Sequence, residues 1–274
     1  MDATVIVGLL DLMPHLTSLQ IVDFKHPVVL DRVVAFLALS ASLSRLTQLK
    51  LECAETGTES GGACGEGLKR LLWGLFELRE IELNVVVDSV WRTRDDLPRC
   101  RLRRITLGAR AQAALIPFSY TSSTSLLSLK LNLKSGWALP PAFTLETFQQ
   151  LQEIQLDEAP TTKLQRLVDQ VSNMPTLRHF IILHGTGPSL ADIGFARLPP
   201  TLTVLILDLP VPSSEIFQLV FHPRFDRCKI VWRDAGKAWT ESDLNVVRQM
   251  AMARERRNEG KEWAAMATAS VVKR

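Results

Sequence analysis

The feature that most constrains this chain is a recurring apolar pattern, Leu-x-x-Leu-x-Leu. One clear copy has leucines at Leu126, Leu129 and Leu131. Ser128 stands just before Leu129, and Lys130 stands between Leu129 and Leu131. Side chains alternate between the two faces of a β-strand, so these leucines would point inward from one short strand and the polar residues would point outward.

The pattern returns along most of the chain at steps of 23 to 32 residues, mostly within the 20–29 residues of leucine-rich repeats. Its copies begin at Leu16, Leu46, Leu78, Leu102, Leu126, Leu151, Leu177 and Leu202, with a degenerate ninth at Phe225. Each strand has an apolar edge that only a neighbouring repeat can bury. The pattern therefore predicts an α/β leucine-rich-repeat solenoid, with a curved parallel sheet and with helices and loops on the convex side.

The segments between the strands vary in helical character. Apolar residues at helical spacing predict helices within Pro27–Leu43, Gly67–Glu77, Thr144–Gln150, Thr161–Ser172, Ser189–Ala196 and Ser213–Val220. The segment Ala109–Thr124 contains Pro117 and a run of Ser and Thr, which predict a loop or a short turn.

Two domains are predicted on this basis. Residues 1–239 form the solenoid of about nine irregular repeats, in which residues 1–15 are an N-terminal cap or a truncated repeat. Residues 240–274 form a C-terminal capping helix, within Thr240–Asn258, followed by a basic tail.

Composition excludes several classes of protein. Hydrophobic residues make up 46% of the 274 residues, which is typical of a globular chain, and a net charge of +3 with scattered Lys and Arg argues against nucleic acid as a partner. No apolar run is long enough to predict a membrane-spanning helix. The four cysteines form no Cys-x-x-Cys pair, and no Asn-x-Ser/Thr occurs. These observations predict reduced, partly buried thiols and an intracellular protein, cytoplasmic or nuclear.

No pattern indicates catalysis, a cofactor, a metal or a small-molecule substrate. The five histidines lack metal-ligand spacing. The segment Gly62–Lys69 lies between a predicted strand and a predicted helix, as a phosphate-binding loop does, but it lacks Gly-Lys-Ser/Thr. The alternative to a binding protein is a hydrolase or nucleotide-dependent enzyme on an irregular α/β fold, which would need a nucleophile–base pair or a phosphate loop.

The outward-facing positions distinguish the strands from one another. In most strands they are polar, and Glu52, Glu80 and Glu82 predict an acidic patch around Lys50, either simply solvated or suited to a basic partner. In the seventh and eighth strands these positions become largely apolar, and an apolar patch on a sheet face must be covered. The residues predicted to contact a protein partner on the concave face are His179, Ile181, Leu183, Val204, Ile206 and Asp208. Two alternatives are that the chain's own tail or a long loop covers them, and that the strand register differs from the one assigned.

Short segments at several predicted strands carry a family resemblance, notably Met13–Leu19, Asn173–Arg178 and Leu198–Leu205. On the basis of these segments, the chain resembles leucine-rich-repeat proteins and, more narrowly, the repeat arrays of fungal F-box proteins. The resemblance covers about Leu9 to Trp232. That resemblance implies a non-catalytic scaffold whose solenoid grips a substrate for ubiquitination, while an N-terminal F-box module binds the ligase core. No F-box-like segment is recognisable before the first repeat.

Overall fold

A computed structural model gives the fold of most of the repeat region. It describes residues 8, 10, 12–53, 63–87, 97–134, 143–186, 193–210, 213–220, 222–233 and 249. The chain divides into two compact units, the first of Met1–Leu131 and Gly136–Gln150, the second of Asn132–Ser135 and Leu151–Arg274. The predicted capping helix and tail, apart from residue 249, and most of the predicted N-terminal cap lie outside the described residues.

The described strands follow one another in chain order and pair in parallel. In the first unit β1 to β5 pair successively, and in the second unit β6 to β9 do the same. They are β1 (Ser18–Phe24), β2 (Gln48–Cys53), β3 (Glu80–Asn84), β4 (Arg104–Leu107), β5 (Ser128–Asn132), β6 (Glu153–Asp157), β7 (His179–Leu183), β8 (Val204–Asp208) and β9 (Lys229–Arg233). The predicted α/β architecture with a parallel sheet and one strand per repeat is confirmed.

From the second repeat onward the apolar residues of the repeat pattern form the core, as the alternation requires, whereas Leu16, Leu19 and Ile21 of the first repeat are only half-buried. In the fifth repeat Leu129 and Leu131 are buried within β5, whereas Leu126 is buried just ahead of that strand. The same division holds in the second unit, where Leu177 precedes β7 and Phe180 and Ile182 lie within it, all three with no exposed surface.

A backbone ladder aligns each strand with the preceding repeat. The N–H groups of Thr47 and Gln48 both donate to the carbonyl oxygen of Thr17, at 2.9 and 3.1 Å. The equivalent bonds recur between repeats in both units, for example from Thr203 and Val204 to Arg178, at 2.8 and 3.0 Å. These bonds satisfy the amides that enter the strand and set its register.

Helices connect some of the strands. They are α1 (Pro27–Leu37), α2 (Glu66–Gly74), α3 (Leu115–Thr121), α4 (Thr161–Val171) and α5 (Ser213–Val220), with short 3-10 helices at Ala41–Arg45, Gln112–Ala114, Leu145–Thr147, Phe195–Arg197 and Pro223–Phe225. The predictions for α4 and α5 are confirmed to within a residue. The predicted helix within Thr144–Gln150 is only a 3-10 turn, and residues 189–192 of the predicted Ser189–Ala196 helix lie outside the described part of the chain.

The prediction of a loop or short turn over Ala109–Thr124 was wrong, because this segment contains α3. Pro117 is the third residue of α3, so it lies in the first turn, where the backbone N–H has no acceptor within the helix. Leu115 and Phe118 have no exposed surface, and the buried Ser122 hydroxyl accepts a hydrogen bond from the Leu102 N–H at 3.0 Å. Burial of this apolar face therefore stabilises a helix at a position where the composition indicated a loop.

Helices α1 and α2 of the first unit are joined by a carboxylate. Asp31 on α1 accepts hydrogen bonds from the N–H groups of Gly65, Gly67 and Leu68, at 2.8, 3.2 and 3.2 Å. These donors begin α2 and have no acceptor within it, so Asp31 caps the helix from the neighbouring repeat. A Cβ atom at Gly67 would clash with the Asp31 carbonyl oxygen, which explains glycine at this position.

Candidate partner-binding face

The side chains that alternate with the buried core residues along each strand form what we call the open face of that unit. In the first unit this face is polar and ion-paired. The Lys50 ammonium lies 2.8 Å from the Glu82 carboxylate and 3.1 Å from that of Glu52, while Arg104 lies 3.3 Å from Glu80. Hydrogen bonds to Glu82 and then Glu52 raise the pKa of Lys50. The predicted acidic patch is therefore balanced by cations on the same face.

The open face of the second unit is apolar at its centre. Ile181 on β7 pairs in register with Ile206 on β8, and Val204 pairs with His179. Because neighbouring strands lie about 4.8 Å apart, such side chains touch one another. Four of them, Ile181, Leu183, Val204 and Ile206, are only half-buried, and we call these four the apolar patch.

Strand β9 extends this row of the sheet. Val231 pairs with Ile206 and has the same alternation, but it is only 7% exposed. The apolar patch is therefore open on β7 and β8 and closed at β9. Val231 was not predicted from the sequence. Continuing the alternation past Cys228, in the degenerate ninth repeat, would have found it.

Two histidine–carboxylate pairs flank the apolar patch. The Nδ1 atom of His179 lies 3.5 Å from the Glu153 carboxylate, and that of His184 lies 2.9 Å from the Asp157 carboxylate. The backbone of His184 has a positive φ of 49° just after β7, as Glu158 has (51°) after β6. Polar pairs around an apolar centre are typical of protein interfaces. The sequence drew attention to His179 but not to His184.

Asp208 differs from the other residues predicted to contact a partner. It is 7% exposed, and its Oδ2 accepts a hydrogen bond from the His184 N–H at 3.4 Å. Its Oδ1 is buried and has no hydrogen-bond partner in the part of the chain that the structure describes. The structure thus brings five of the six predicted residues together at the surface and leaves Asp208 buried.

The four cysteines are the most nucleophilic side chain type in the chain when ionised. They form no disulfide, as predicted, and all four are buried. Burial, with smaller effects from nearby groups, raises the pKa of Cys64 and of Cys100 to about 12. A thiol with such a pKa stays protonated at neutral pH, and the thiolate is the nucleophile.

We therefore expect Cys64 and Cys100 to resist alkylation in the folded protein. At pH 8 their thiolate fraction is about 1,000-fold below that of an exposed cysteine, so iodoacetamide should label them about 1,000-fold more slowly. Because their pKa values are raised on folding, the free energy of unfolding should fall as the pH rises from about 9 towards 12. Mass spectrometry of labelled peptides would measure the rates, with urea-unfolded protein as control. Rapid labelling of either residue in the folded protein would contradict the assignment.

The segment Gly62–Lys69, which has the position of a phosphate-binding loop, already uses backbone N–H groups to bind a protein carboxylate. Within its described residues, the N–H groups of Gly65, Gly67 and Leu68 are bound by the Asp31 carboxylate. A phosphate would need these donors and would be repelled by that carboxylate. These contacts leave none of the three amides available to a phosphate.

Among the described residues, no three or more His, Cys, Asp or Glu side chains lie where they could hold a metal ion. None of the described helices has the length and apolar character needed to cross a membrane.

Comparison with known proteins does not assign this chain to a family. No protein-family model matches it, and no curated protein sequence does.

Proposed function

We propose that this protein is a non-catalytic scaffold that binds a partner protein on the open face of β7 and β8, and that both of its units are built from leucine-rich repeats. The repeat spacing, the single strand per repeat and the backbone ladder between repeats support the second part. Repeat proteins of this type commonly use the exposed face of their sheet for binding.

The apolar patch is the observation that carries the proposal. Ile181, Leu183, Val204 and Ile206 are adjacent, half-buried and flanked by two histidine–carboxylate pairs, while the open face of the first unit is charged and paired. Covering apolar surface stabilises a complex by about 25 cal/mol per Å². A partner with apolar side chains would therefore bind the second unit's open face in preference to the first.

The double substitution Ile181→Asp/Ile206→Asp tests the proposal. Both side chains are half-exposed, so the fold should persist, but two carboxylates would face the partner's apolar surface. Loss of each central contact should cost about 2 kcal/mol of binding, or about 30-fold in affinity. Affinity purification with quantitative mass spectrometry would identify the partners of the unsubstituted protein, and titration would measure the loss.

The matched control is Gln20→Asp/Thr106→Asp, which places two aspartates on the open face of the first unit and should retain every partner. If the Ile181→Asp/Ile206→Asp protein is folded and also retains every partner, the patch is not the binding site. If it unfolds far below the control's melting temperature, the patch is internal and is covered by the chain's own tail or a long loop.

The resemblance to F-box proteins extends the proposal to a biological role. If the partner is a ubiquitin-ligase substrate, its lifetime in cells should lengthen when the Ile181→Asp/Ile206→Asp protein replaces the unsubstituted one. If the substituted protein no longer binds the partner but the partner's lifetime is unchanged, the protein is a scaffold without a role in degradation.

A further inference from the structure

Strand β1 has an outer edge, the side away from β2, that no strand among the described residues covers. Alternate residues of a parallel strand direct their backbone groups to opposite sides. The Thr17 carbonyl faces β2, where it accepts the N–H of Gln48, so the backbone groups of Ser18, Gln20 and Val22 face the outer edge. In the described part of the chain, nothing supplies Ser18 with a carbonyl as Thr17 supplies Gln48.

The apolar row of β1 is also incompletely covered. Leu19 and Ile21 are in register with Leu49 and Leu51 of β2. Leu49 and Leu51 are at most 2% exposed, whereas Leu19 and Ile21 are only half-buried. Leu10 is buried ahead of the strand, but other large apolar side chains of the first repeat are exposed, namely Leu12, Met13, Val22, Val28 and Val29. The terminal repeat of a solenoid needs a polar outer face, and the described first repeat does not have one.

Charge does not protect this edge from pairing. Edge strands that stay unpaired usually carry a charged residue or a proline within the strand. The stretch Thr17–Val22 has neither, and its first charged residue is Asp23, in the bulge where the register with β2 shifts. The regular part of β1 is therefore suited to pair with a further strand.

The sequence of β1 is matched to a second copy of itself. Antiparallel pairing about a two-fold axis at Gln20 places Gln20 opposite Gln20, Ser18 opposite Val22, and Leu19 opposite Ile21. The residues whose backbone groups face the outer edge then become the hydrogen-bonded pairs of an antiparallel ladder. The Leu19–Ile21 pairs fall on the inward face, where they cover the half-buried row. Asp23 would face the uncharged Thr17 of the other copy, so no like charges meet within the paired stretch.

We propose that this protein forms a two-fold symmetric dimer in which β1 of one copy pairs antiparallel with β1 of the other about Gln20. The same surface is used on both copies, as two-fold symmetry requires. The contact lies on the first unit and involves none of the residues of the apolar patch, so it is independent of the partner proposed to bind there.

Sedimentation velocity of the full chain tests the proposal. We expect a reversible dimer within a concentration series of about 1 to 100 μM. Gln20→Pro removes the N–H at the centre of the outer edge and leaves the groups that face β2, and proline is tolerated on an edge strand. This substitution should weaken the dimer about tenfold or more, because it removes one hydrogen bond from each copy.

A charge exchange at the same position tests the symmetry without relying on proline. Gln20 is exposed, so Gln20→Lys and Gln20→Glu should both fold. Each substitution places like charges opposite one another and should weaken its own dimer about threefold, whereas a mixture of the two proteins should prefer the heterodimer. The control is Thr106→Lys, which adds the same charge beside Glu82 on the open face of β4 and should dimerise like the unsubstituted protein.

The Ile181→Asp/Ile206→Asp protein should dimerise normally, which separates failure of this contact from failure of the proposed partner site. A monomer at every concentration would overturn the proposal, and residues of the chain itself would then cover the edge of β1. A dimer that Gln20→Pro does not weaken, or a mixture of Gln20→Lys and Gln20→Glu proteins with no preference for the heterodimer, would also overturn it. Loss of the dimer in the Ile181→Asp/Ile206→Asp protein would overturn it in favour of self-association through the apolar patch.

Discussion

Phe180→Ala should lower the free energy of unfolding by about 4 kcal/mol. The Phe180 side chain has no exposed surface, and its ring meets that of Phe195 edge-to-face, with centroids 6.4 Å apart and an interplanar angle of 72°. Truncation removes buried apolar surface, leaves a cavity and breaks an aromatic pair, which itself contributes about 1 kcal/mol. Urea unfolding followed by circular dichroism would measure the loss.

The matched control is the next residue on the same strand. Ile181 points to the open face and is half-buried, so Ile181→Ala should cost no more than about 1 kcal/mol. A slip of one residue would exchange the two faces of β7. If Ile181→Ala proved the more damaging of the two substitutions, the register of this strand and the apolar patch would both be wrong.

Gly67→Ala should destabilise the protein by about 3 kcal/mol, because the new methyl group would clash with the Asp31 carbonyl oxygen and α1 and α2 would have to move apart. That movement also stretches the hydrogen bonds from Asp31 to the start of α2. Gly74, at the other end of α2, has nothing within 4 Å of an added Cβ. Gly74→Ala should therefore be neutral or stabilise the protein by about 0.5 kcal/mol, and the two variants should differ clearly in thermal unfolding.

Measuring Gly67→Ala in the Asp31→Ala protein separates the cost of the clash from the cost of losing the Asp31 cap. Asp31→Ala removes the cap and should by itself cost about 2 kcal/mol. Most of the cost of Gly67→Ala should persist in the Asp31→Ala background, because the closest clash is with the backbone carbonyl oxygen of residue 31, and only the weaker contact with its side-chain Oδ1, 2.9 Å from the added Cβ, is removed. If Gly67→Ala costs no more than Gly74→Ala, the two helices are not in the contact described.

The periodic features of this fold could be predicted from the sequence. The inward leucines, such as Leu129 and Leu131, follow a period of two, and their recurrence at similar steps predicts strands that pair with the neighbouring repeats. The same alternation correctly placed Ile181 and Ile206 side by side on one face. These predictions succeed because burial of a regular apolar stripe decides both the local conformation and the pairing.

What could not be predicted depends on contacts between residues far apart in the chain. The Asp31 cap joins residues 34 to 37 positions apart. Hydroxyl groups ahead of the repeat leucines also bond to the preceding repeat: Thr176 donates to the Leu151 carbonyl at 2.9 Å, and Thr201 to that of Leu177 at 3.0 Å. Such bonds leave no periodic pattern in the sequence, because a Ser or Thr that bonds to the preceding repeat looks the same as one that does not.

The outer faces of α1 and α2, and the helix α3, show the same limit of sequence-based prediction. Spacing alone identified Pro27–Leu43 and Gly67–Glu77 as helical, but it could not show that Phe36 and Trp73 remain at the surface after both helices have packed. In α3 the burial of Phe118 outweighs the loop-forming composition around it, and that burial depends on residues of other repeats.

The backbone ladder has a consequence for how such a chain could change in length. Arg79 accepts two amide bonds from Arg103 and Arg104, and Arg103 in turn accepts two from Leu127 and Ser128. Most of the described repeats offer the same acceptor and bring the same pair of donors, although the ninth brings only the Lys229 N–H, since that of Cys228 donates to Phe225. Loss or duplication of one repeat would leave its neighbours with matching hydrogen-bond partners. Evolution could therefore shorten or extend this protein by whole repeats, and only the volumes of the side chains at the new junction would need to adjust.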